Sequence, residues 1–495
     1  MLSQLMRTEG IAQRFAKRRD FALVDVAMVA LPMYAITMEL ICLAHRPFPP
    51  MALYILRTVN AGLTLESQIA AFLGVEVPVV RKVLEELLEG RYLSRDEESG
   101  AFELMEQGAK VIETEKEFVP QEETHTVIFD GILRRPIWIS GERLLRPSEI
   151  DRVSTIEIRP YPGIPPEREE LKLADVVSVL KSQYGADEFD RDVLALSRIA
   201  RRSKVFRLAT GLAYKMKKGP DIQVAFVVDG VPHNELEQVF AEKGGARKMG
   251  FMKALSEGGI ERAVRRHLGN NVVQLIPDEV ELRDRMVALS DARLEFDIAA
   301  RRAENAPGEV NIGRLNEARS RFEEATRSIQ TYPVRPLDVY EVGNLLEDAL
   351  SSAASRVLAA VVDWENGLSR DLVRSLEIPL KRGVEIRIVN IVRAKDDAGE
   401  RPKSEKFVEL HKVLSRYKNF AVTTSRRPGF FFLVKDSQFV AISNRPMLGP
   451  ASRTRMFHQF VGYLLQDSQV VNAYIERVAE AHWDDLKLRP NPGSG

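Results

Sequence analysis

Residues 429–446 read GFFFLVKDSQFVAISNRP, and this stretch decides the fold of the last third of the chain. An apolar run leads into Lys435 and Asp436, and a second apolar run ends at Ser443 and Asn444. Two short apolar runs separated by turn-forming residues predict a pair of neighbouring buried strands.

The sequence on both sides of this stretch alternates between helix and strand patterns. VYEVGNLLEDALSSAASRVLAAVVDW predicts a helix and then a strand ending at Trp364, and SRDLVRSLEIPLKRGVEIRIVNIV repeats that order with Gly383 ending the helix. SEKFVELHKVLSRY and FAVTTS predict a third helix and strand, and FVGYLLQDSQVVNAYIERVAEAHWDD closes the domain. This order resembles the phospholipase D-like superfamily over a predicted domain at 333–487.

The signature of that family is His-x-Lys-x(4)-Asp, followed on the next strand end by a Gly-Ser-x-Asn-like element. In the family the histidine is the nucleophile and the lysine neutralises the phosphate. No histidine of this chain has a lysine two places on, so no shifted frame restores the signature. With Asp436 at the aspartate position, glycine and phenylalanine replace the reactive pair, and neither attack nor neutralisation survives. The resemblance implies a pseudoenzyme whose degenerate-site positions are Gly429, Phe431, Asp436, Ser443 and Asn444.

Basic residues are concentrated around the degenerate site. From Arg370 to Arg455 there are 19 Lys and Arg against 9 Asp and Glu, although the whole chain has net charge zero. A basic groove there would hold a phosphodiester backbone, and Phe430 or Phe432 would either stack on bases or pack in the core. The candidate nucleic-acid-binding residues of this region are Arg426, Arg427, Arg445, Arg453, Arg455 and Lys412.

Residues 49–118 resemble a winged helix-turn-helix domain. MALYILRTVNAG, LTLESQIAAFLGV and EVPVVRKVLEELLEGRYL predict three helices, and YLSRDEESGAFELMEQG predicts strand, turn and strand. Such domains read DNA with the third helix, where Arg81 and Lys82 are the candidate DNA ligands. The same helix and the wing carry seven acidic residues, which would repel phosphate. Sequence-specific DNA binding and protein docking therefore both stay open for this module.

Residues 119–276 predict a central α+β domain of no recognised family. VFRLATGLAYKMKKGPDIQVAFVVDG predicts two long strands joined by a turn. Lys215, Lys217 and Lys218 near that turn form either a phosphate-binding face or a protected strand edge.

Three further segments complete the predicted domain order. Residues 277–332 predict a helical hairpin in which Leu315, Phe322, Ala325 and Ile329 form a packing stripe or a docking surface for a partner. Residues 1–48 are an N-terminal segment whose apolar run from Val26 to Met38 predicts a buried helix or strand pair, since Pro32 and flanking acids argue against a membrane span. Residues 488–495 predict a disordered tail. The expected fold class is multidomain α/β and α+β.

The composition excludes several classes of site. The chain of 495 residues has one cysteine, Cys42, so neither a disulfide framework nor a cysteine-based zinc site is expected. We expect no metal, no other cofactor and a cytoplasmic location. The phosphate-binding loop, the zinc-protease motif and the Gly-x-Ser-x-Gly motif are all missing from the sequence.

These observations lead to three functional hypotheses. The first is a non-catalytic accessory subunit in a bacterial DNA-processing or genome-defence system. It binds nucleic acid, with DNA favoured over RNA and both left open, together with partner proteins such as an NTPase or a nuclease. This assignment is an analogy between folds, and a homodimer stays open. The second is a nuclease or phosphodiesterase with a relocated active site built from His411, Asp436 and Asn444. The third is a transcriptional regulator acting through Arg81 and Lys82.

Overall fold

The computed structural model describes residues 2–139, 144–150, 155–185, 189, 191–256, 259–392, 404–425, 429–448 and 456–483. Within these ranges the α-helices are α1 (Leu2–Arg14), α2 (Pro50–Asn60), α3 (Glu66–Leu73), α4 (Val77–Glu89), α5 (Glu106–Thr114), α6 (Pro147–Ile150), α7 (Leu173–Tyr184), α8 (Asn234–Glu242), α9 (Gly245–Lys248), α10 (Phe251–Ser256), α11 (Gly259–Leu268), α12 (Asn270–Val273), α13 (Glu279–Asn305), α14 (Glu309–Gln330), α15 (Val342–Ser352), α16 (Trp364–Gly367), α17 (Arg370–Lys381), α18 (Glu405–Leu414) and α19 (Ser468–His482). The strands are β1 (Phe21–Pro47), β2 (Leu93–Arg95), β3 (Phe102–Leu104), β4 (Lys116–Asp130), β5 (Arg135–Ile137), β6 (Ile156–Glu157), β7 (Asp192–Met216), β8 (Ile222–Val228), β9 (Val231–Pro232), β10 (Val334–Leu337), β11 (Arg356–Val361), β12 (Glu385–Ile391), β13 (Phe420–Ser425), β14 (Phe431–Lys435), β15 (Phe439–Ser443) and β16 (Gly462–Leu465).

The chain forms two compact units. The first consists of Met1–Pro32, Leu144–Gly163 and Phe206–Gly495, and the second of Met33–Arg143 and Ile164–Val205. The long strands β1 and β7 contribute residues to both. The expected mixture of helices and sheets in a multidomain chain is confirmed. The finer division into six segments remains a prediction.

A seven-stranded sheet forms the core of the last part of the first unit. Its strand order is β10-β16-β15-β14-β11-β12-β13, in which β11, β12 and β13 are parallel and the pairs from β11 through β14, β15 and β16 to β10 are antiparallel. Every residue of β14 and β15 is buried. The apolar runs therefore occupy the centre of the sheet, where both faces are covered.

Each face of this sheet has its own apolar cluster. On one face Leu346, Leu376 and Phe407 bring α15, α17 and α18 against the sheet. On the other face Val264 and Tyr474 belong to α11 and α19. The two-sided covering is what makes the strands read as continuous apolar segments rather than as alternating ones.

One element boundary differs from the sequence prediction and a second agrees with it. Strand β11 ends at Val361, not at Trp364, which instead begins the short helix α16. Asp363 causes the early end, because its φ of +55° leaves the extended region that a strand requires. Helix α17 ends at Lys381, and Gly383 follows it with a φ of +87°.

The apolar run near the N-terminus is a single strand. Residues 26–38 lie within β1, so the helical alternative was wrong. In the first unit Val29 and Ala30 pair with β6, and in the second unit residues 33–47 pair with the whole of β4. None of the helices in the described ranges is long and apolar enough to cross a membrane.

The second unit begins with the element order that the sequence predicts for residues 49–118. Helices α2, α3 and α4 enclose a core that includes Ile55, Ile69 and Leu84, and the hairpin β2–β3 adds Leu93 and Phe102. The rest of this unit includes the antiparallel array of β1, β4 and β5 and the first part of β7, with Val176 and Leu180 of α7 in its apolar cluster.

The predicted helical hairpin consists of α13 and α14. The rings of Phe296 and Phe322 stack with centroids 5.7 Å apart, and Ile329 is buried. Phe322 and Ile329 therefore take part in packing within the chain. Val310 and Ile312, near the start of α14, are exposed.

Candidate nucleic-acid interface

The degenerate-site positions lie at both ends of the hairpin β14–β15. Phe431 pairs with Ser443, which pairs with Gly462 on β16, so these residues form one row at the edge where the parallel strands β11, β12 and β13 end. We call this edge, from Asn390 and Thr424 through Phe431 to Ser443, the carboxyl edge. In open α/β sheets the carboxyl ends of the strands are where ligands bind.

The two positions of the missing reactive pair have different environments. Gly429 is exposed, and a Cβ built on it would meet no atom within 4 Å. Phe431 is 7% exposed and packs in the cluster that contains Val434 and Tyr474. A side chain at 429 would thus be tolerated sterically, whereas a lysine at 431 would carry its charge into an apolar cluster.

Asp436 lies at the opposite end of β14 and has a structural role. Its carboxylate accepts hydrogen bonds from the backbone N–H groups of Ala354, Ser355 and Arg356 at 2.7–2.9 Å and from the hydroxyl of Ser355 at 2.7 Å. Burial alone would raise the pKa of Asp436, but these hydrogen bonds outweigh it and hold the pKa below its usual value. Asp436 therefore fixes the turn after β14 to the start of β11.

Replacing Asp436 by alanine should lower the free energy of unfolding by about 2–3 kcal/mol. The change removes the acceptor of four hydrogen bonds and places a residue with an ordinary Cβ at a φ of +49°. A depressed carboxyl pKa stabilises the fold above the unfolded pKa and stops doing so as pH falls through the folded pKa. The charge-dependent part of the difference should therefore be smaller at pH 3, whereas the strain of alanine at this φ stays. Urea unfolding at pH 7 and pH 3 measures it. Asp436→Asn, which keeps one acceptor oxygen and tolerates this φ, should lose less; equal losses would contradict the assignment.

Ser443 and Asn444 are likewise engaged within the chain. The Ser443 hydroxyl donates to the Arg445 carbonyl. The Asn444 amide donates to the Gln459 carbonyl at 2.8 Å and accepts from the Val461 N–H at 3.0 Å. These contacts hold the segment before β16 against the end of β15.

The second hypothesis of the sequence analysis required His411, Asp436 and Asn444 to assemble. Asp436 follows the last residue of β14, whereas Asn444 follows the last residue of β15, and five residue pairs separate the two ends of this hairpin. At about 3.3 Å per residue the two are more than 10 Å apart along the strands. His411 lies on α18, where its ring contacts Phe407 and Phe420. The structure does not bring this set together.

Arg445 is paired with a buried carboxylate. Its guanidinium contacts Asp25, whose carboxylate also accepts from the N–H groups of Val26 at 2.7 Å and His458 at 2.8 Å. The Asp25 side chain is 2% exposed. Burial raises the pKa of Asp25 to about 6, while Arg445 and the two N–H donors oppose that rise. Arg445 therefore serves this buried pair rather than a phosphate.

The remaining predicted ligands fall into three groups. Arg426, Arg427, Arg453 and Arg455 lie outside the described residues, as does the predicted tail at 488–495. Lys412 on α18, Lys82 on α4, and Lys217 and Lys218 in the turn after β7 are exposed. Lys215 donates to the Leu255 carbonyl at 3.2 Å and to Gln459 at 3.3 Å, and Arg81 pairs with Glu66 at 2.9 Å.

An arginine face on α11 lies beside the carboxyl edge, and sequence reasoning missed it. Arg262, Arg265 and Arg266 are exposed at helical spacing, while Val264 and Leu268 on the other face are buried. Arg265 donates to the Tyr463 hydroxyl at 3.0 Å and pairs with Glu261. Within the described ranges no ion pair involves Arg262 or Arg266. The spacing of the arginines in GIERAVRRHL indicates a basic helix face. The sequence does not show that this helix packs near residue 429, because the two segments are far apart along the chain.

His267 connects this helix to the start of β14. Its ring centroid lies 5.2 Å from that of Phe430, and its Nε2 lies 3.2 Å from the Tyr474 hydroxyl. Arg477 lies over the Tyr474 ring at 4.7 Å. Burial, and secondarily the positive charge of Arg477, lowers the pKa of His267 to about 4, so the imidazole is neutral at pH 7. Phe432, by contrast, is a core residue at 3% exposure.

No group of His, Cys, Asp and Glu within the described part of the carboxyl edge is close enough together to hold a metal ion; the one such group in the described ranges is Cys42, Glu123 and His125 in the second unit.

No protein-family profile matches the chain, and no curated protein matches it. Among solved structures, the chain is similar to NucT from Helicobacter pylori, with 16% identity over 30% of this chain and 95% of that one and a TM-score of 0.21. It is also similar to TrmBL2, described as an archaeal chromatin protein with a novel mode of DNA binding, with 13% identity over 35% of this chain and 64% of that one and a TM-score of 0.21. A third is phosphatidylserine synthase from Haemophilus influenzae, with 13% identity over 36% and 47% of the two chains and a TM-score of 0.24. At these scores the likenesses assign neither fold nor function.

Proposed function

We propose that this protein is a non-catalytic subunit that binds nucleic acid at the carboxyl edge and α11. The observation that carries the proposal is the exposed arginine face of α11, the helix whose His267 contacts Phe430. Phe430 lies at the edge where Gly429 and Phe431 replace the reactive pair of the family that the sequence resembles. The arginines supply phosphate contacts, and Gly429 and Phe431 offer no group that would break the bond.

The charge of this face suits a phosphate backbone. The guanidinium group presents a fork of donors that matches phosphate oxygens, and Arg262 and Arg266 project from an ordered helix whose buried face is packed. Such binding is independent of base sequence and weakens as salt rises, because cations released from the nucleic acid drive it.

The pseudoenzyme part of the proposal rests on three positions. Gly429 offers no nucleophile, and Phe431 offers no charge. The carboxylate of Asp436 accepts hydrogen bonds from backbone N–H groups at the start of β11. The polar groups of Asn444 are engaged with the segment before β16. The described side chains at these positions therefore hold the sheet together.

Partner proteins are the second half of the proposed role. In the second unit, Tyr54 and Phe72 on the helices of the proposed winged helix are 54% and 69% exposed. The acidic side chains of Glu85, Glu86 and Glu89 on α4 are also exposed, which opposes contact with DNA. These features favour protein docking over sequence reading by this module. A bacterial DNA-processing or genome-defence assembly, with an NTPase or nuclease as partner, is the proposed setting.

Phosphodiester cleavage is a second candidate function, favoured by one observation. His267 is a neutral imidazole beside the cation Arg477 and against Phe430 at the carboxyl edge. A neutral imidazole is the form that acts as nucleophile or base. Its Nε2 is already hydrogen-bonded to the Tyr474 hydroxyl, which leaves this nitrogen less available for attack on a phosphate. Phosphodiester cleavage is therefore the second candidate.

Charge reversal on α11 tests the proposal. In the variant Arg262→Glu with Arg266→Glu, the affinity for a fluorescent 30-nucleotide single strand and for the matching duplex should fall about 10–100-fold, and the slope of log K against log salt should fall by about 2. Fluorescence anisotropy across a salt series measures both. The matched control is Arg314→Glu with Arg319→Glu, which makes the same charge change on exposed residues of α14 and should leave the slope unchanged.

Other outcomes separate the alternatives. Equal losses in both variants would mean that net charge alone governs binding and would overturn the proposed interface. Cleavage of the labelled strand that is lost in His267→Ala would replace the pseudoenzyme with the second candidate. Binding confined to one duplex sequence and lost on Arg81→Ala with Lys82→Ala would favour the transcriptional regulator.

A further inference from the structure

Cys42, Glu123 and His125 share one face of the strand pair β1–β4 in the second unit. The register pairs Leu40 with Glu123 and Cys42 with Gln121, so Cys42 is the diagonal neighbour of Glu123. Residues 123 and 125 point to the same face because side chains alternate along a strand. One candidate ligand atom from each of the three residues lies within 4.8 Å of the other two.

This cluster is polar within an apolar environment. The side chains around it include Met38, Val127 and Phe129, and the rings of Tyr184 and Phe189 lie edge-on to His125 with centroids 5.9 Å away. A buried carboxylate and a buried imidazole are costly unless they are hydrogen-bonded or paired.

The hydrogen bonds within the cluster leave it incomplete. The His125 side chain is 8% exposed, and its Nε2 lies 3.1 Å from Glu123. Its Nδ1 is buried and has no hydrogen-bond partner among the described residues. A buried nitrogen of this kind costs about 1–3 kcal/mol when unsatisfied, and rotating the ring exchanges which nitrogen faces the cluster. The imidazole therefore has a lone pair or donor to spare in either orientation.

We propose that Cys42, Glu123 and His125 bind one Zn²⁺ ion, with water as the fourth ligand. Thiolate, imidazole and carboxylate are the three side-chain ligand types that zinc takes, and three protein ligands with an open position are a recurrent zinc set. A thiolate and a carboxylate together neutralise the two charges of the ion. Zinc binding at this site does not depend on the proposed binding of nucleic acid at the carboxyl edge.

The surroundings provide a counter-ion and a way in. Arg191 pairs with Glu123 and its side chain is 44% exposed, so it can leave the carboxylate when a cation takes its place. Glu123 itself is 12% exposed and marks the side from which an ion enters. The metal would join β1 to β4 across the sheet and should stabilise the second unit, since a ligand that binds only the folded state raises its stability.

A role for Cys42 as a nucleophile fits less well. The thiol is fully buried. Burial, and secondarily the charge of Glu123, raises the pKa of Cys42, which disfavours a free thiolate. Zinc displaces that proton, so metal binding should strengthen as pH rises through neutrality.

Cobalt titration tests the site directly. Because the chain has a single cysteine, any thiolate-to-cobalt charge-transfer absorption must come from Cys42. We expect the chelator-treated full chain to develop this near-ultraviolet band with one equivalent of Co²⁺ and to lose it when Zn²⁺ is added. Cys42→Ser should abolish the band, and Glu123→Gln and His125→Gln should each weaken Co²⁺ binding by at least about 100-fold, more than is usual for an outer-shell partner.

Zinc should also raise the thermal unfolding temperature of the wild type and not that of Cys42→Ser. The matched control is Glu122→Gln, a neighbouring exposed carboxylate on the opposite face of β4, which should retain the band and its affinity. Circular dichroism identifies any variant that does not fold, and Glu123→Gln, at a partly exposed position, then carries the test. A wild type without the band, or a band of unchanged affinity in both Glu123→Gln and His125→Gln, would overturn the site.

Discussion

Replacing Arg445 by alanine should lower the free energy of unfolding by about 3–5 kcal/mol, because it leaves the carboxylate of Asp25 buried without its counter-ion. Asp25 would keep the N–H groups of Val26 and His458, but two neutral donors do not balance a charge that is 2% exposed. Chemical denaturation at pH 7, with the wild type in parallel, measures the loss.

The pH dependence of that loss identifies its cause. The pKa of Asp25 is already raised to about 6, and removing Arg445 should raise it further. Below that pH the carboxyl group is protonated and no charge remains uncompensated, so the penalty of Arg445→Ala should shrink as pH falls from 7 to 5. A penalty that is constant over this range would show that the stacking of the Arg445 guanidinium on the Phe460 ring, rather than the pairing with Asp25, is what the mutation removes.

A double variant separates structure from binding. Asp25→Asn should recover much of the stability lost in Arg445→Ala, since the amide keeps an acceptor for one N–H and carries no charge. The same double variant should bind nucleic acid with the salt slope of the wild type. A reduced slope would instead return Arg445 to the phosphate-binding set that the sequence predicted.

Arg445 shows why a count of charges along the sequence does not identify phosphate-binding residues. The basic surplus between Arg370 and Arg455 includes Lys435, which pairs with Asp348 at 2.9 Å, and Arg445, which pairs with Asp25. Both carboxylates lie outside the counted window. A linear window records cations without the partners that the fold supplies, and long-range ion pairs have no local signature.

Local sequence patterns predicted the helices and strands better than they predicted the binding residues. The helices and strands around 429–446 follow from apolar periodicity and turn residues, and the hairpin β14–β15 lies where the alternation of apolar runs placed it. The strand at 21–47 was ambiguous because a long apolar run suits a buried helix or a strand equally until its partner is known. Its partner β4 begins about 70 residues later, beyond any local window.

Only part of the candidate interface could be predicted from the sequence, because the other part depends on contacts between distant segments. Gly429 and Phe431 could be found by spacing from Asp436, because a signature is a local pattern. His267 reaches Phe430 only through the packing of α11 on the sheet, and the arginine face belongs to the same helix. The residues of the proposed zinc site are more remote still, since they come together only through the register of β1 on β4. Tertiary neighbours of this kind have no sequence signal without related sequences to compare.

Glutamine in place of Glu9 should remove a large pH-dependent penalty on the folded first unit. The Glu9 carboxyl group is 3% exposed and accepts from the Gly343 N–H at 2.7 Å and 2.9 Å, at the start of α15. A Cβ on Gly343 would lie 2.6 Å from the carboxyl oxygen, so glycine permits this approach. Burial raises the pKa of Glu9 to about 8, against the lowering effects of the Gly343 N–H and of Arg293.

A raised carboxyl pKa means that the folded state holds its proton more tightly than the unfolded state. Stability is therefore complete below the unfolded pKa of about 4.5 and is lost progressively as pH rises to about 8, by about 3–5 kcal/mol in total. Glu9→Gln should equal the wild type near pH 5 and exceed it by that amount at pH 9. The smaller loss from Asp25, between about pH 4 and 6, should remain in the variant.

Glu347→Gln, at an exposed position on α15, is the control and should follow the wild-type profile. A Glu9→Gln variant less stable than the wild type at pH 9 would mean that the charged carboxylate, held by the Gly343 N–H and Arg293, stabilises the fold despite its burial.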